Sequence, residues 1–133
     1  MTTIKQRLDG DCAVCATAMF LGKTYDEIVD LFPEAKDGFP HGTHGEVDVC
    51  LHFGIMLECV HVPGVKVEYE GYYDWDKSQP AMIAVMSQNR LDTLHSIYWD
   101  GKEIHDPSNL KCYGPEFPDT AYIEYIVQKL KDR

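Results

Sequence analysis

Ten consecutive residues near the start of the chain, Cys12-Ala13-Val14-Cys15-Ala16-Thr17-Ala18-Met19-Phe20-Leu21, carry no charge and a single hydroxyl. Their alanine-rich composition favours a helix, with Asp11 at the N-cap position and Gly22 as the stop. A helix that is apolar on nearly every face has to be covered on nearly every face. The rest of the chain must therefore wrap it. With 133 residues in total, and no repeat, low-complexity tract or linker to divide them, a single domain over 1–133 is expected. Hydrophobic residues at 44% and aromatics at 11% supply the core and argue against disorder.

The other elements follow from caps and periodicity. Thr24 and Glu27 make a capping box that opens a short helix ended by Pro33, and Thr43 with Glu46 repeats the pattern before a helix carrying Val47, Cys50 and Leu51 and stopping at Gly54. From Ile55 the period changes to that of a strand, Ile55–Val62, closed by Pro63-Gly64. Ala81–Met86, after Pro80, is a short apolar run of the central-strand type. Thr93–Trp99 and Lys102–His105 read as a hairpin joined by Asp100-Gly101. Tyr122, Ile123, Ile126, Val127 and Leu130 fall at helical spacing, so a C-terminal helix is expected over about Asp119 to Leu130. Helices first and strands later is the α+β pattern, here a helical N-terminal part packed on an antiparallel sheet.

Twelve basic against twenty-two acidic side chains leave a formal charge of −10. Such a chain repels phosphate backbones and anionic lipid surfaces, which argues against nucleic-acid and membrane partners and would suit a basic peptide. No stretch approaches the ~20 apolar residues needed to span a bilayer, and the N-terminal residues turn polar and charged at once, so a cytoplasmic location is expected. Five cysteines, an odd number without an export signal, fit free thiols in a reducing compartment.

Cys12 opens the buried helix, where unpaired backbone N–H groups and the helix dipole favour a thiolate. The neighbouring Asp11 opposes that charge, so activation calls for a cationic partner, and histidine is the natural one. The hairpin supplies it. If Asp100-Gly101 is a two-residue loop, Trp99 pairs with Lys102 and the register carries His95 opposite Asp106. Directly opposed residues share a sheet face with Cβ atoms ~4.5–5.5 Å apart, close enough for the carboxylate to orient the imidazole. A slip of one residue would exchange the faces of His95 and His105. Gln6, upstream of Cys12, places a side-chain amide where it can join the Cys12 N–H in holding an oxyanion.

The segment Gln6-Arg7-Leu8-Asp9-Gly10-Asp11-Cys12-Ala13, the run Gln79-Pro80-Ala81-Met82-Ile83-Ala84-Val85 and the stretch from His95 through Asp106-Pro107 together resemble the papain-like cysteine peptidases, and among them the C39 peptidase-like group. The chain departs from that group at Ala13, where glycine often follows the nucleophile, and it adds Cys15 one turn along the same helix. The resemblance implies a papain-like α+β fold and a peptidase that cleaves a peptide or isopeptide bond. In that reading Cys12 is the nucleophile, His95 the base, Asp106 the orienter and Gln6 the oxyanion donor, with no cofactor and no metal.

Other readings compete at each position. Cys12 taken alone reads more readily as a small buried hydrophobe than as a nucleophile. Cys12 and Cys15 form a C-x-x-C pair, although the preceding strand of a redox motif is missing. Zinc would find ligand types in Cys12, Cys15, His41 and His44, or in Cys50, His52, Cys59 and His61. Cys15 itself reads as core, His105 as a partly exposed strand residue, and the aromatic segment Tyr69–Trp75 as a packed loop or a substrate wall. A papain-like fold is also reusable as a binding or inhibitor module, or as an acyltransferase acting on an amine instead of water.

Overall fold

A computed structural model describes residues 2–33, 43–61, 76–119 and 122–130. Among these, α1 (Cys12–Leu21), α2 (Tyr25–Leu31) and α3 (Thr43–His52) precede β1 (Leu57–His61), β2 (Ala81–Met86), β3 (Leu94–Trp99), β4 (Ile104–His105) and β5 (Ile123–Lys129). The strands form one antiparallel sheet in the order β1-β5-β2-β3-β4. The fold is mixed α+β, and no helix among the described residues is long and apolar enough to cross a membrane.

The apolar helix behaves as its composition demands. Val14 through Met19 are all buried in α1. On one side Val14, Cys15 and Ala18 pack with Tyr25 and Ile28 of α2 and Val49 of α3. On the other side the Thr17 hydroxyl meets the Met82 sulfur at 3.6 Å, and Phe20 sets its ring edge-on to Tyr98 of β3. The helix ends at Gly22, whose φ of +67° lets its N–H and that of Lys23 return to Met19 and Ala18. Around the next turn Thr24 and Glu27 complete the expected capping box of α2. The next helix, α3, carries Val47, Cys50 and Leu51 as expected, and its Glu46 is buried at 4% exposure.

The expected C-terminal helix is instead β5, hydrogen-bonded between β1 and β2. A bulge explains the misleading spacing. Ala84 pairs with Tyr125 but Val85 pairs with Ile123, so Glu124 is an extra residue in the ladder. The extra residue reverses the alternation, and Ile123 and Ile126 then fall in the same core cluster with Ile83 and Val85. Val127 packs on the other side with Met82 and Cys50. Burial on both faces plus one bulge thus reproduces the i, i+3, i+4 signature of a helix, while the β-branched residues suit the strand.

The β3–β4 hairpin also differs from expectation, in a way that preserves its consequence. Tyr98 pairs with His105 and Trp99 with Ile104, so the loop is Asp100–Glu103 and the register is shifted by two residues. A two-residue type I′ turn needs positive φ at both central positions, and Gly101 has it at +98° while Asp100 does not. Asp100 closes the longer loop, its Oδ1 accepting from the Lys102 and Glu103 amides at 2.8 and 2.9 Å. Because side chains alternate with a period of two, a two-residue shift leaves every face assignment unchanged.

The turn at Gly101 admits no side chain: a Cβ there would stand 2.6 Å from the Ser78 carbonyl oxygen, on backbone that already favours glycine. Gly101→Ala is expected to destabilise the fold by about 1–3 kcal/mol. A thermal melt superimposable on the parent's would contradict this account of the turn.

Candidate functional site

Cys12 is the first residue of α1, half-buried, at the end of the helix that α1's packing presents to β3. Burial by itself would push its thiol up. A hydrogen bond and charge from His95, together with hydrogen bonds from the Ser96 backbone and side chain, outweigh burial and bring the thiol below its ordinary value. His95 and Ser96 lie near the start of β3, before its fully buried stretch Ile97–Trp99. The structure therefore brings Cys12 and His95 together.

His95 and Asp106 meet as well. His95 Nε2 and Asp106 Oδ1 are 2.6 Å apart, and with Nε2 committed there, Nδ1 is the ring nitrogen left for the sulfur. Asp106 is buried at 4% exposure and held from three sides: Oδ1 also accepts from the Ser108 amide at 2.8 Å, and Oδ2 accepts from the Tyr113 amide at 2.6 Å. Tyr113 is itself braced, its hydroxyl donating to the Met86 carbonyl at 2.6 Å. Burial would lower the His95 pKa, but its hydrogen bonds to Asp106 and Cys12 and their charges raise it to about 9. The two shifts run in opposite directions, Cys12 down and His95 up, and together they favour thiolate facing imidazolium.

Gln6 reaches the same place on a separate strut. Its amide N–H donates to Pro107 O at 2.8 Å, and its carbonyl accepts from Asn109 Nδ2 at 3.0 Å. Lys5 Nζ, one residue earlier, donates to the carbonyls of Asp106 and Ser108 at 3.0 and 3.1 Å. The segment carrying Gln6 is thus laid along the loop carrying Asp106. Gln6, Cys12 and His95 all line one open cavity of about 400 Å³, with the Gln6 side chain donating to Leu8 O at 3.3 Å. The amide nitrogen carries a second hydrogen for a further acceptor.

Several residues stand differently from their sequence reading. Asp11 occupies the N-cap position of α1, but its carboxylate makes no cap hydrogen bond. It turns back instead, with Oδ2 accepting from Arg7 N, Leu8 N and the Tyr25 hydroxyl, while the buried Oδ1 has no partner. His105, expected to be partly exposed and opposite Ser96, is 4% exposed and pairs with Tyr98. Its ring nitrogens engage Thr3 Oγ1 and Asp100 Oδ2, each at 2.7 Å. Cys15 is fully buried, and burial, with the nearby Asp11 and Cys12, pushes its thiol up to about 12, far from a nucleophile.

Among the described residues the one cluster of ligand-type side chains is Asp100, Glu103 and His105, which no spacing had suggested. His41 and the segment Tyr69–Trp75 lie outside the described residues, as do the side chains of His44 and His61. Sequence reasoning missed Ser96, Lys5 and Tyr113, whose contributions run through backbone groups and long-range contacts that leave no local signature. Comparison with protein-family models finds no match to this chain, and comparison with curated proteins finds none either.

The raised His95 value has a signed consequence for stability. Its folded value exceeds the ordinary 6.5, so the imidazolium bonded to Asp106 contributes stability that is fully present below 6.5 and is lost as pH rises through about 9. Melts of the parent and His95→Gln should therefore differ most at about pH 6 and converge toward about pH 10. A gap that is constant over that range would contradict the pairing.

Proposed function

We propose that this chain is a cysteine-dependent hydrolase of papain-like architecture that cleaves a peptide or isopeptide bond through a Cys12 acyl-enzyme. The observation that carries the reading is the shared position of Cys12, His95 and Gln6 on one open cavity, with His95 bonded to the buried Asp106 at 2.6 Å. A thiol pulled down and an imidazole pulled up give the nucleophile and its acid at once.

The Cys12 thiolate attacks the substrate carbonyl, and the negative charge moves to the carbonyl oxygen. The Gln6 amide and the Cys12 backbone N–H, which opens α1 and has no partner within the helix, hold that oxygen. The His95 imidazolium gives its proton to the leaving amine as the carbon–nitrogen bond breaks, which leaves a thioester on Cys12. Water then attacks the thioester while His95 takes a proton, releasing a carboxylic acid and restoring the thiolate–imidazolium pair. Asp106 keeps the ring oriented and its positive charge compensated throughout. A reducing cytoplasm would keep the thiol available. With a charge of −10 the chain suits a basic peptide or protein substrate.

The test uses p-nitrophenyl acetate as the acyl donor, with nitrophenolate release followed optically and the adduct mapped by mass spectrometry. A transient acetyl group on Cys12 is expected, absent in Cys12→Ala. Gln6→Ala should slow acylation on the order of 10²–10³-fold. Asp106→Asn, which keeps the shape and one acceptor, should lose less than His95→Ala. No adduct, or one that moves undiminished to another cysteine, would leave a binding module as the better reading. An acyl-enzyme that resists water but yields to added amines would make the chain an acyltransferase.

A further inference from the structure

The short segment from Gln6 to Gly10 forms one wall of the cavity and leads directly into Cys12. Its attachments to the Asp106 loop hold it from below. A second set, used by no step of the chemistry, holds it from α2. The Tyr25 hydroxyl donates to Asp11 Oδ2 at 2.7 Å, and the same oxygen accepts from Arg7 N at 3.1 Å and Leu8 N at 3.0 Å. Asp11 is fully buried while it does so. The Arg7 guanidinium lies over the Tyr25 ring, 4.2 Å from its centroid, and binds both oxygens of Asp26, the next residue of α2.

From this arrangement we infer that Tyr25, acting through Asp11, is a positioning residue that sets the Gln6 amide against the Cys12 sulfur, an assignment that rests on the proposed acyl-transfer reading. The logic is geometric. Gln6 precedes the two amides that Asp11 gathers, and Cys12 follows Asp11, so one carboxylate fixes the chain on both sides of the oxyanion position. A carboxylate gathering two backbone amides still has a free direction to turn in, and the Tyr25 hydroxyl removes it. Burial and the bond to Asp11 push the phenol up to about 12, so it remains a donor at any working pH. Tyr25 is in turn immobilised in the helical core with Val14, Cys15 and Ile28, and the capping box at Thr24 and Glu27 fixes where α2 begins.

The role separates cleanly from general stabilisation because two reactions of one thiolate differ in their need for Gln6. Alkylation by iodoacetamide develops no oxyanion, whereas acylation by p-nitrophenyl acetate does. Tyr25→Phe keeps the ring, its packing and its contact with Arg7, and deletes only the hydroxyl. The expected result is alkylation of Cys12 at the parent rate and acylation slower by about tenfold, the scale on which small misplacements of catalytic groups act. In a Gln6→Ala background the same change should add nothing, since its effect passes through Gln6.

Equal loss in both reactions would make Tyr25 a structural residue only and overturn the inference, as would an undiminished tenfold effect in the Gln6→Ala background. A parent that is alkylated at Cys12 but never acylated would fail the acyl-transfer reading itself, and the positioning role with it. A parent that is acylated at a rate Tyr25→Phe leaves unchanged would fail the positioning role alone. Should Tyr25→Phe not fold, Asp11→Asn asks the same question, because the side-chain oxygen remains but loses the charge that gathers the two amides. Removing the Asp11 charge also eases formation of the Cys12 thiolate, so the readout there is the ratio of acylation to alkylation, which should fall by about tenfold.

Discussion

The structure turns on the burial of α1. A ten-residue helix without a polar face cannot rest on the surface, and the chain meets that constraint by placing α2 and α3 on one side and the sheet on the other. Once α1 is clamped in this way, its first turn has one place to go, which is the start of β3. Cys12 therefore arrives beside His95 and Ser96 as a by-product of packing. The position is chemically charged for the same reason that the helix is stable: the first backbone N–H groups of α1 have no partners within it, and they face the sulfur's neighbourhood.

Around that point the chain invests hydrogen bonds where ordinary surface loops would not. Asp106 uses both oxygens on three donors, Lys5 gathers two carbonyls of the same loop, and Tyr113 ties the loop to the end of β2. Buried and fully satisfied, such a network is rigid, and rigidity is what an oriented imidazole requires. The opposed shifts of Cys12 and His95 follow from it, since each group's charge is stabilised by the other in a site that burial alone would have kept neutral.

What could be read in advance divides along the same physical lines. The limits of α1, the capping box of α2 and the central strand β2 are set by composition and local caps, and local signals found them. The face shared by His95 and Asp106 survived an incorrect register because alternation repeats every two residues. The helical reading of 119–130 failed because Glu124 bulges out of the ladder and restores a three-residue spacing between buried isoleucines. Asp11 was legible as a cap but not as an organiser. The donors that draw its carboxylate away include the Tyr25 hydroxyl from a different helix, a contact that exists only after α1 and α2 have packed. Side chains held by tertiary partners are the part of a site that periodicity does not encode.

The central claim is that Cys12 is held as a thiolate by His95. The most direct measurement is the rate of Cys12 alkylation by iodoacetamide as a function of pH, resolved by peptide mapping, in the parent and in His95→Gln. The account predicts that the parent keeps its reactivity well below ~8.5, the value for a free cysteine, and that the variant returns to an ordinary thiol profile or higher. A parent profile centred at the free-cysteine value, or one that His95→Gln leaves unmoved, would contradict it.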